Sequence, residues 1–292
     1  MTFKFKNNLK HNSTIIKQET KIVLLICYFG KLPWYFKFFL HSCKYNPDIH
    51  FYIITDNNKT IESLPSNVKI VVIPNDEMKQ KAFEKFGFTV CIDNPYKLCD
   101  FKPAYGYLFP ELIEGYDFWG HGDIDVIFGK IRNFITHDVL SNHDLICVRH
   151  DFLTGYFQLF RNNEKMNTLF MKSKDYKKVF TSPQHYCFDE TNFAWDAFAE
   201  GKPLQEMNCE IESMNHVVRK LQDKKEINAY FDFHVIEGLP GRLKWQHGTL
   251  TYKNEFEVML YHMVLFKKFC KNKLPPKKIP DTFYISPSRI YF

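Results

Sequence analysis

FWGHGDIDVIFG, from Phe118 to Gly129, reads as an aromatic strand that runs into two carboxylates, Asp123 and Asp125, one residue apart. It holds the only Asp-x-Asp of the chain. An apolar strand buries two anions only at high cost, which places the pair at the strand's exposed end. Side chains two apart on a strand share a face, so oxygens from both reach one hard cation. Carboxylate oxygens suit Mg²⁺ or Mn²⁺ better than zinc, and an ion held in this way keeps open positions for a diphosphate. Gly120 and Gly122 let another group approach the backbone. The bland alternative is an acidic turn that caps a helix starting at Gly129.

Outward from this motif the chain alternates strands and helices. KIVLLICYF, Lys21 to Phe29, is continuously apolar, as a central strand covered on both faces must be. Gly30 and Pro33 mark a turn, and Trp34 to Cys43 has helical spacing. HFYIIT, His50 to Thr55, is a second strand ending at Asp56, and Val68 to Ile73 is a third. Asp76 to Phe86 reads as an amphipathic helix. A helical segment from Leu98 to Leu112, interrupted by Pro103, Gly106 and Pro110, delivers the chain to the acidic strand. Beyond it the pattern predicts a short helix over 129–135, strands over 144–149 and 155–160, and helices over 165–172, 189–200 and 214–222. Short strands follow from Arg242, ending at 257–263. The order predicts an α/β fold, a mixed, mainly parallel sheet flanked by helices in one domain. Residues 1–20 read as a polar N-terminal lead, 21–268 as the domain and 269–292 as a basic C-terminal tail.

Composition narrows the function classes. With 292 residues, 45% of them hydrophobic, the chain needs no disulfide or metal staple to build a core. The 30 Phe and 16 Tyr should dominate its packing. None of the eight cysteines forms a C-x-x-C pair, which fits buried thiols in a reducing compartment. Met1 to Thr20 is too polar for a signal peptide, and Ile22 to Phe29 is too short to span a bilayer. The expected setting is the cytoplasm, with contact at the inner face of a membrane open to the basic tail. A net charge of +6 is modest, and no long basic stripe alternates with exposed aromatics, which argues against a nucleic-acid module. A two-metal phosphodiesterase or nuclease would draw on more clustered Asp, Glu and His. Lys267, Lys268, Lys271, Lys273, Lys277 and Lys278 gather near the C-terminus, either as a solvated face or as a surface for diphosphate and anionic lipid.

The segments ICYFG…PW, YIITD, KPAYGYLFPEL, YDFWGHGDIDVIFG and DETNF resemble those of GT-A-fold (Rossmann-like) glycosyltransferases, above all the small enzymes of bacterial capsule, O-antigen and lipopolysaccharide clusters. The likeness runs from about Lys21 to Lys268 and is specific around the Asp-x-Asp. It implies metal-dependent transfer of a sugar from a nucleoside-diphosphate sugar to the hydroxyl of a glycan or lipid-linked glycan. A protein that keeps the fold and binds nucleotide sugar or carbohydrate without turnover is the alternative.

Residue by residue, the resemblance puts Tyr28, Phe29 and Gly30 around the nucleoside, though Phe29 fits core packing nearly as well. It puts Asp56 on base or ribose, against an Asx turn with Asn57, and Lys102 on the diphosphate, against an exposed helix lysine. Asp125 is the main metal ligand, with Asp123 shared between metal and ribose. A late histidine completes the site: His262, followed by Lys267, is preferred over His247 and His121, with a packed core histidine as the alternative. Asp189, with Glu190 beside it, opens a helix and faces the acceptor. In inverting members it takes the acceptor proton; in retaining ones it binds acceptor, and capping alone explains one such carboxylate.

Overall fold

The run Ile22–Cys27 forms β1, an interior strand of a seven-stranded sheet. In this computed structural model, residues 20–58, 61, 63–271 and 274–292 are described. The expected N-terminal lead, Thr20 excepted, and Lys273 lie outside them.

β1 has parallel neighbours on both sides, β2 (Ile49–Thr55) and β4 (Phe118–Gly122). Its residues serve two cores alternately: Ile22, Leu24 and Ile26 face one, Val23 and Leu25 the other. That is why the run is continuously apolar rather than alternating. The helix α1 (Phe36–Lys44) links β1 to β2, and β3 (Val68–Val72) pairs parallel with β2. The helix α2 (Asn75–Phe86) follows and ends on Gly87 at φ +73°. The proline- and glycine-interrupted segment from Pro95 to Ile113 is a chain of short helical turns, as its sequence predicts.

After β4 the chain makes the acidic turn. It then continues as β5 (Val126–Phe128), β6 (Leu145–Cys147), β7 (Phe157–Arg161), β8 (Ala229–Phe231) and β9 (Val235–Glu237). The sheet order is β3-β2-β1-β4-β7-β6-β8, with β7 antiparallel to β4 and β6 and the other pairs parallel. The fold is therefore a mixed α/β architecture with a mainly parallel sheet and flanking helices. β10 (Leu243–Gln246), β11 (Thr249–Tyr252), β12 (Phe256–Glu257), β13 (Leu260–His262), β14 (Thr282–Ile285) and β15 (Ile290–Tyr291) complete the order.

Three sequence expectations change. The helix predicted over 129–135 is a single 3-10 turn, Ile131–Asn133; before it, Val126–Phe128 is a buried strand paired antiparallel with β13. Three consecutive β-branched or aromatic residues favour that strand. The helix predicted over 189–200 begins only at Trp195, because Cys187, Asn192 and Phe193 take left-handed backbone at φ +51°, +55° and +64°. The segment read as a tail carries β14 and β15 in a second sheet, β12-β11-β10-β14-β15. There Phe283 stacks on Trp245 at 5.0 Å between ring centroids. Apolar residues spaced along 279–290 outweigh the lysines beside them. Among the described residues no helix is long and apolar enough to cross a membrane.

Candidate active site

Asp123, Ile124 and Asp125 form the turn between β4 and β5 rather than the end of one strand. Ile124 is buried in the core, while Asp123 and Asp125 line a cleft of about 590 Å³. β5 then leaves the large sheet for a three-stranded one, β5-β13-β9. In its register His262 lies opposite Val126 on one side and Glu237 on the other. The Met263 N–H donates to the Asp125 carbonyl at 2.8 Å and locks the pairing.

This register assembles the first charged cluster. Ligand atoms of Asp123, Asp125 and His262 all lie within 4.8 Å of one another. The His262 Nδ1 meets Glu237 Oε1 at 2.9 Å, leaving Nε2 toward Asp125 Oδ2 at 3.6 Å. Glu237 is held from behind by Arg149 Nη1 at 2.5 Å, and the Tyr156 ring lies 4.2 Å from the His262 ring. Lys267 Nζ donates to Asp125 Oδ2 at 2.5 Å. Burial raises the Asp125 pKa, but His262 and Lys267 override it and hold the carboxyl well below the usual range. Burial likewise pulls His262 down, and Asp125 and Glu237 push it up to about 9. Two carboxylates and one imidazole form an oxygen-rich donor set that fits Mn²⁺ or Mg²⁺. A ligating histidine whose other nitrogen is bound to a carboxylate is the usual supported arrangement.

The second cluster surrounds Lys102, which the helical turns after Pro95 carry into the core. Its Nζ lies 2.7 Å from Asp123 Oδ1, 3.0 Å from the Gly155 carbonyl and 3.5 Å from Asp189 Oδ2. Burial disfavours the ammonium, but Asp123, Cys99 and Asp189 outweigh that and raise its pKa well above the ordinary lysine value. Lys102 is thus a buried partner of the motif rather than an exposed helix lysine. Gly155 makes the cluster possible: a Cβ there would lie 2.4 Å from Asp189 Oδ2 and 3.0 Å from Glu190 Oε1.

Asp189 and Glu190 sit in the turn before Trp195, not at a helix start. Burial holds the Asp189 carboxyl well above the usual carboxylate range, against the pull of Lys102. Glu190 is a strut: Oε1 accepts from the Gly155 N–H at 2.5 Å and Oε2 from the Trp195 indole at 2.7 Å. Both residues line the cleft that holds Asp123 and Asp125.

The loop after β1 divides. Tyr28 lines the cleft half-buried, and Phe29, which borders it too, packs into the core beside Val23 and Leu25. Gly30 turns away at φ +96°, where open space shows that backbone conformation, not crowding, calls for glycine. Its N–H donates to Asp56 Oδ1 at 2.6 Å, and both residues border a shallow neighbouring groove rather than the main cleft. The structure therefore does not bring Gly30 and Asp56 to the acidic cluster. The other histidines stay outside the ligand group as well. His121 is buried, its Nδ1 is 3.2 Å from the Gly155 carbonyl, and burial together with Lys102 lowers its pKa to about 3. His247 lies exposed in the β10–β11 turn. Sequence reasoning missed Glu237 and Arg149, whose short, locally featureless strand and loop offered no periodic signal. Asp151, two residues from Arg149, is engaged by it at 2.5 Å.

Residues 24–292 match the family described as a family of unknown function, DUF6625. The chain belongs to this family. Among curated proteins, none matches this DUF6625 chain. Solved structures similar to it are glycosyltransferases. The galactosyltransferase LgtC, in complex with donor and acceptor sugar analogs, has a TM-score of 0.36 and 10% identity over 56% of this chain and 66% of that one. The apo glycosyltransferase GlyE of Streptococcus pneumoniae TIGR4 has a TM-score of 0.32 and 10% identity over 72% of this chain and 45% of that one. Apo mouse xyloside xylosyltransferase 1 has a TM-score of 0.41 and 10% identity over 85% of this chain and 99% of that one. The chain thus spans 66% of LgtC and less than half of GlyE.

Proposed function

We propose that this protein is a metal-dependent glycosyltransferase of the GT-A type, moving a sugar from a nucleoside-diphosphate sugar to a glycan hydroxyl in bacterial surface-polysaccharide synthesis. One observation carries the reading: Asp123, Asp125 and His262 converge on the wall of a cleft that Lys102 and Lys267 also line. The genetic setting rests on the sequence resemblance alone.

Asp125 and His262, with Asp123, would hold the divalent ion, which supplies positive charge for the diphosphate when bound. Lys102 and Lys267 place two further ammonium groups on the same wall, where the departing diphosphate gains charge. The bond that breaks joins the anomeric carbon to the diphosphate oxygen, which leaves with the electron pair. The new bond joins that carbon to the acceptor oxygen, whose proton passes to Asp189. A carboxylate with a raised pKa is the better proton acceptor once ionised. Tyr28 would flank the nucleoside. Contact with an anionic membrane belongs to the same proposal, supported by Phe269 and Leu274, which stand exposed among the C-terminal lysines.

The test is a thermal-shift screen of uridine and guanosine diphosphates and their sugars, with and without Mn²⁺. A rise in melting temperature that needs both nucleotide and Mn²⁺, and that Asp125→Asn abolishes, is expected. Transfer by Asp125→Asn at the wild-type rate in the presence of EDTA would refute the reading.

A further inference from the structure

Four aromatic rings stand at the cleft that Asp189 and Glu190 line. Tyr96 is 65% exposed, Phe193 50% and Trp195 37%, against the near-complete burial of most aromatics here. Tyr96 meets His185 edge-on at 4.7 Å, His185 meets Phe193 at 5.6 Å, and Phe193 meets Trp195 at 5.6 Å. All four border the cavity that contains Asp123 and Asp189.

Two details show that the rings are presented rather than left over. Phe193 adopts φ +64°, a conformation that glycine or asparagine takes at far less cost. Core packing does not account for it, because the ring is half exposed. The turn is nevertheless held in place: Asn192 donates to the Tyr186 carbonyl at 2.9 Å and accepts from the Glu210 N–H at 2.8 Å. Strain kept at an exposed ring beside a cleft points to a ligand. Trp195 is fixed at its one polar edge by Glu190, whose other oxygen holds Gly155. A pinned ring costs a ligand little ordering entropy.

The chemistry of the lip selects the occupant. Aromatic faces attract the C–H face of a sugar ring, while Asp189 just inside accepts hydrogen bonds from its hydroxyls. We propose that Phe193 and Trp195, flanked by Tyr96 and His185, form the platform for a neutral pyranose ring of the acceptor. This deepens the transferase reading and rests on it for the word acceptor.

Ligand-observed NMR on the full chain tests it, with methyl β-galactoside, methyl β-glucoside, lactose and cellobiose as probes and Mn²⁺ plus uridine or guanosine diphosphate titrated in parallel. Saturable binding of at least one saccharide to the wild type is expected. Phe193→Gly should weaken it tenfold or more while raising the melting temperature, since glycine relieves the left-handed backbone. Trp195→Ala should weaken it similarly, with partial rescue in Trp195→Phe. Diphosphate binding should stay within twofold in every variant. No saccharide binding to the wild type, or undiminished binding in both Phe193→Gly and Trp195→Ala, overturns the platform. Saccharide binding that follows this pattern while no diphosphate binds upholds the platform and sinks the transferase instead.

Discussion

Lys97 and Lys102 come from the same run of helical turns, yet the pairs Lys97–Asp100 and Lys102–Asp123 do different work. Lys97 Nζ donates to Asp100 at 2.8 Å and to the carbonyls of Val179 and Gln184 at 2.7 and 2.5 Å. Asp100 accepts from the N–H groups of Tyr186 and Phe188 at 3.0 and 2.9 Å and lies 3.1 Å from His185 Nδ1. Every direction of that pair is spent on backbone or a neighbouring ring, with both side chains out of water. Lys102 is as deeply buried, but its carboxylate partners Asp123 and Asp189 line a cleft. A buried ion pair closed on itself is a fastener. One whose partners face a cavity is a site. Asp100 also carries the turn that brings Asp189 and Glu190 to Lys102, so the fastener positions the site.

The sharpest break in this contrast is Asp100→Ala. It leaves Lys97 buried without its carboxylate and two N–H groups without an acceptor, and should cost about 3–5 kcal/mol of stability in urea unfolding. A loss under about 1 kcal/mol would erase the distinction. Acid tests the same pair. Burial raises the Asp100 pKa, but His185 and Lys97 override it and the carboxyl titrates below the ordinary value. Its stabilisation is therefore complete above the unfolded pKa of about 3.9 and disappears as pH falls through the lower folded value. Asp100→Ala should accordingly be less acid-sensitive than the wild type below about pH 4, read as a flatter unfolding midpoint against pH.

Lys102→Met should do the reverse. Transfer should fall by about 10²–10³-fold, roughly 3–4 kcal/mol, while the urea midpoint moves little. Near-normal turnover would demote Lys102 to a fastener. Glu237→Gln removes the charge behind His262 and should weaken Mn²⁺ binding about 10–100-fold, measured by calorimetry with nucleotide present. Unchanged affinity would mean that His262 needs no support from β9. The smallest effect belongs to a pair that is neither fastener nor site. Lys178→Ala breaks the exposed contact to Glu210 at 3.2 Å and should leave both midpoint and turnover unchanged.

Much of the fold was legible. β1, β2, β3, α1 and α2 fall where apolar continuity and helical spacing place them, because parallel strands buried on two faces and a capped amphipathic helix leave plain patterns. The acidic motif was legible too, as two charges in an otherwise apolar stretch. The segment from 187 to 195 was not. Its pattern reads as one helix, but the side chain of Asn192 makes long-range bonds that hold left-handed residues in place. The strand β5 was lost because three residues carry no period.

The amino-acid order alone determined the strands β1 to β4 and the pair of carboxylates that follows them, since each depends on local burial and charge. Only the tertiary structure decided which histidine joins Asp125, that Glu237 stands behind it, and that Asp56 turns to Gly30 instead of the cleft. The first of these depends on the register between β5 and β13, whose paired residues lie more than a hundred positions apart. A register shift of one residue turns every side chain to the other face, and no local pattern reports it.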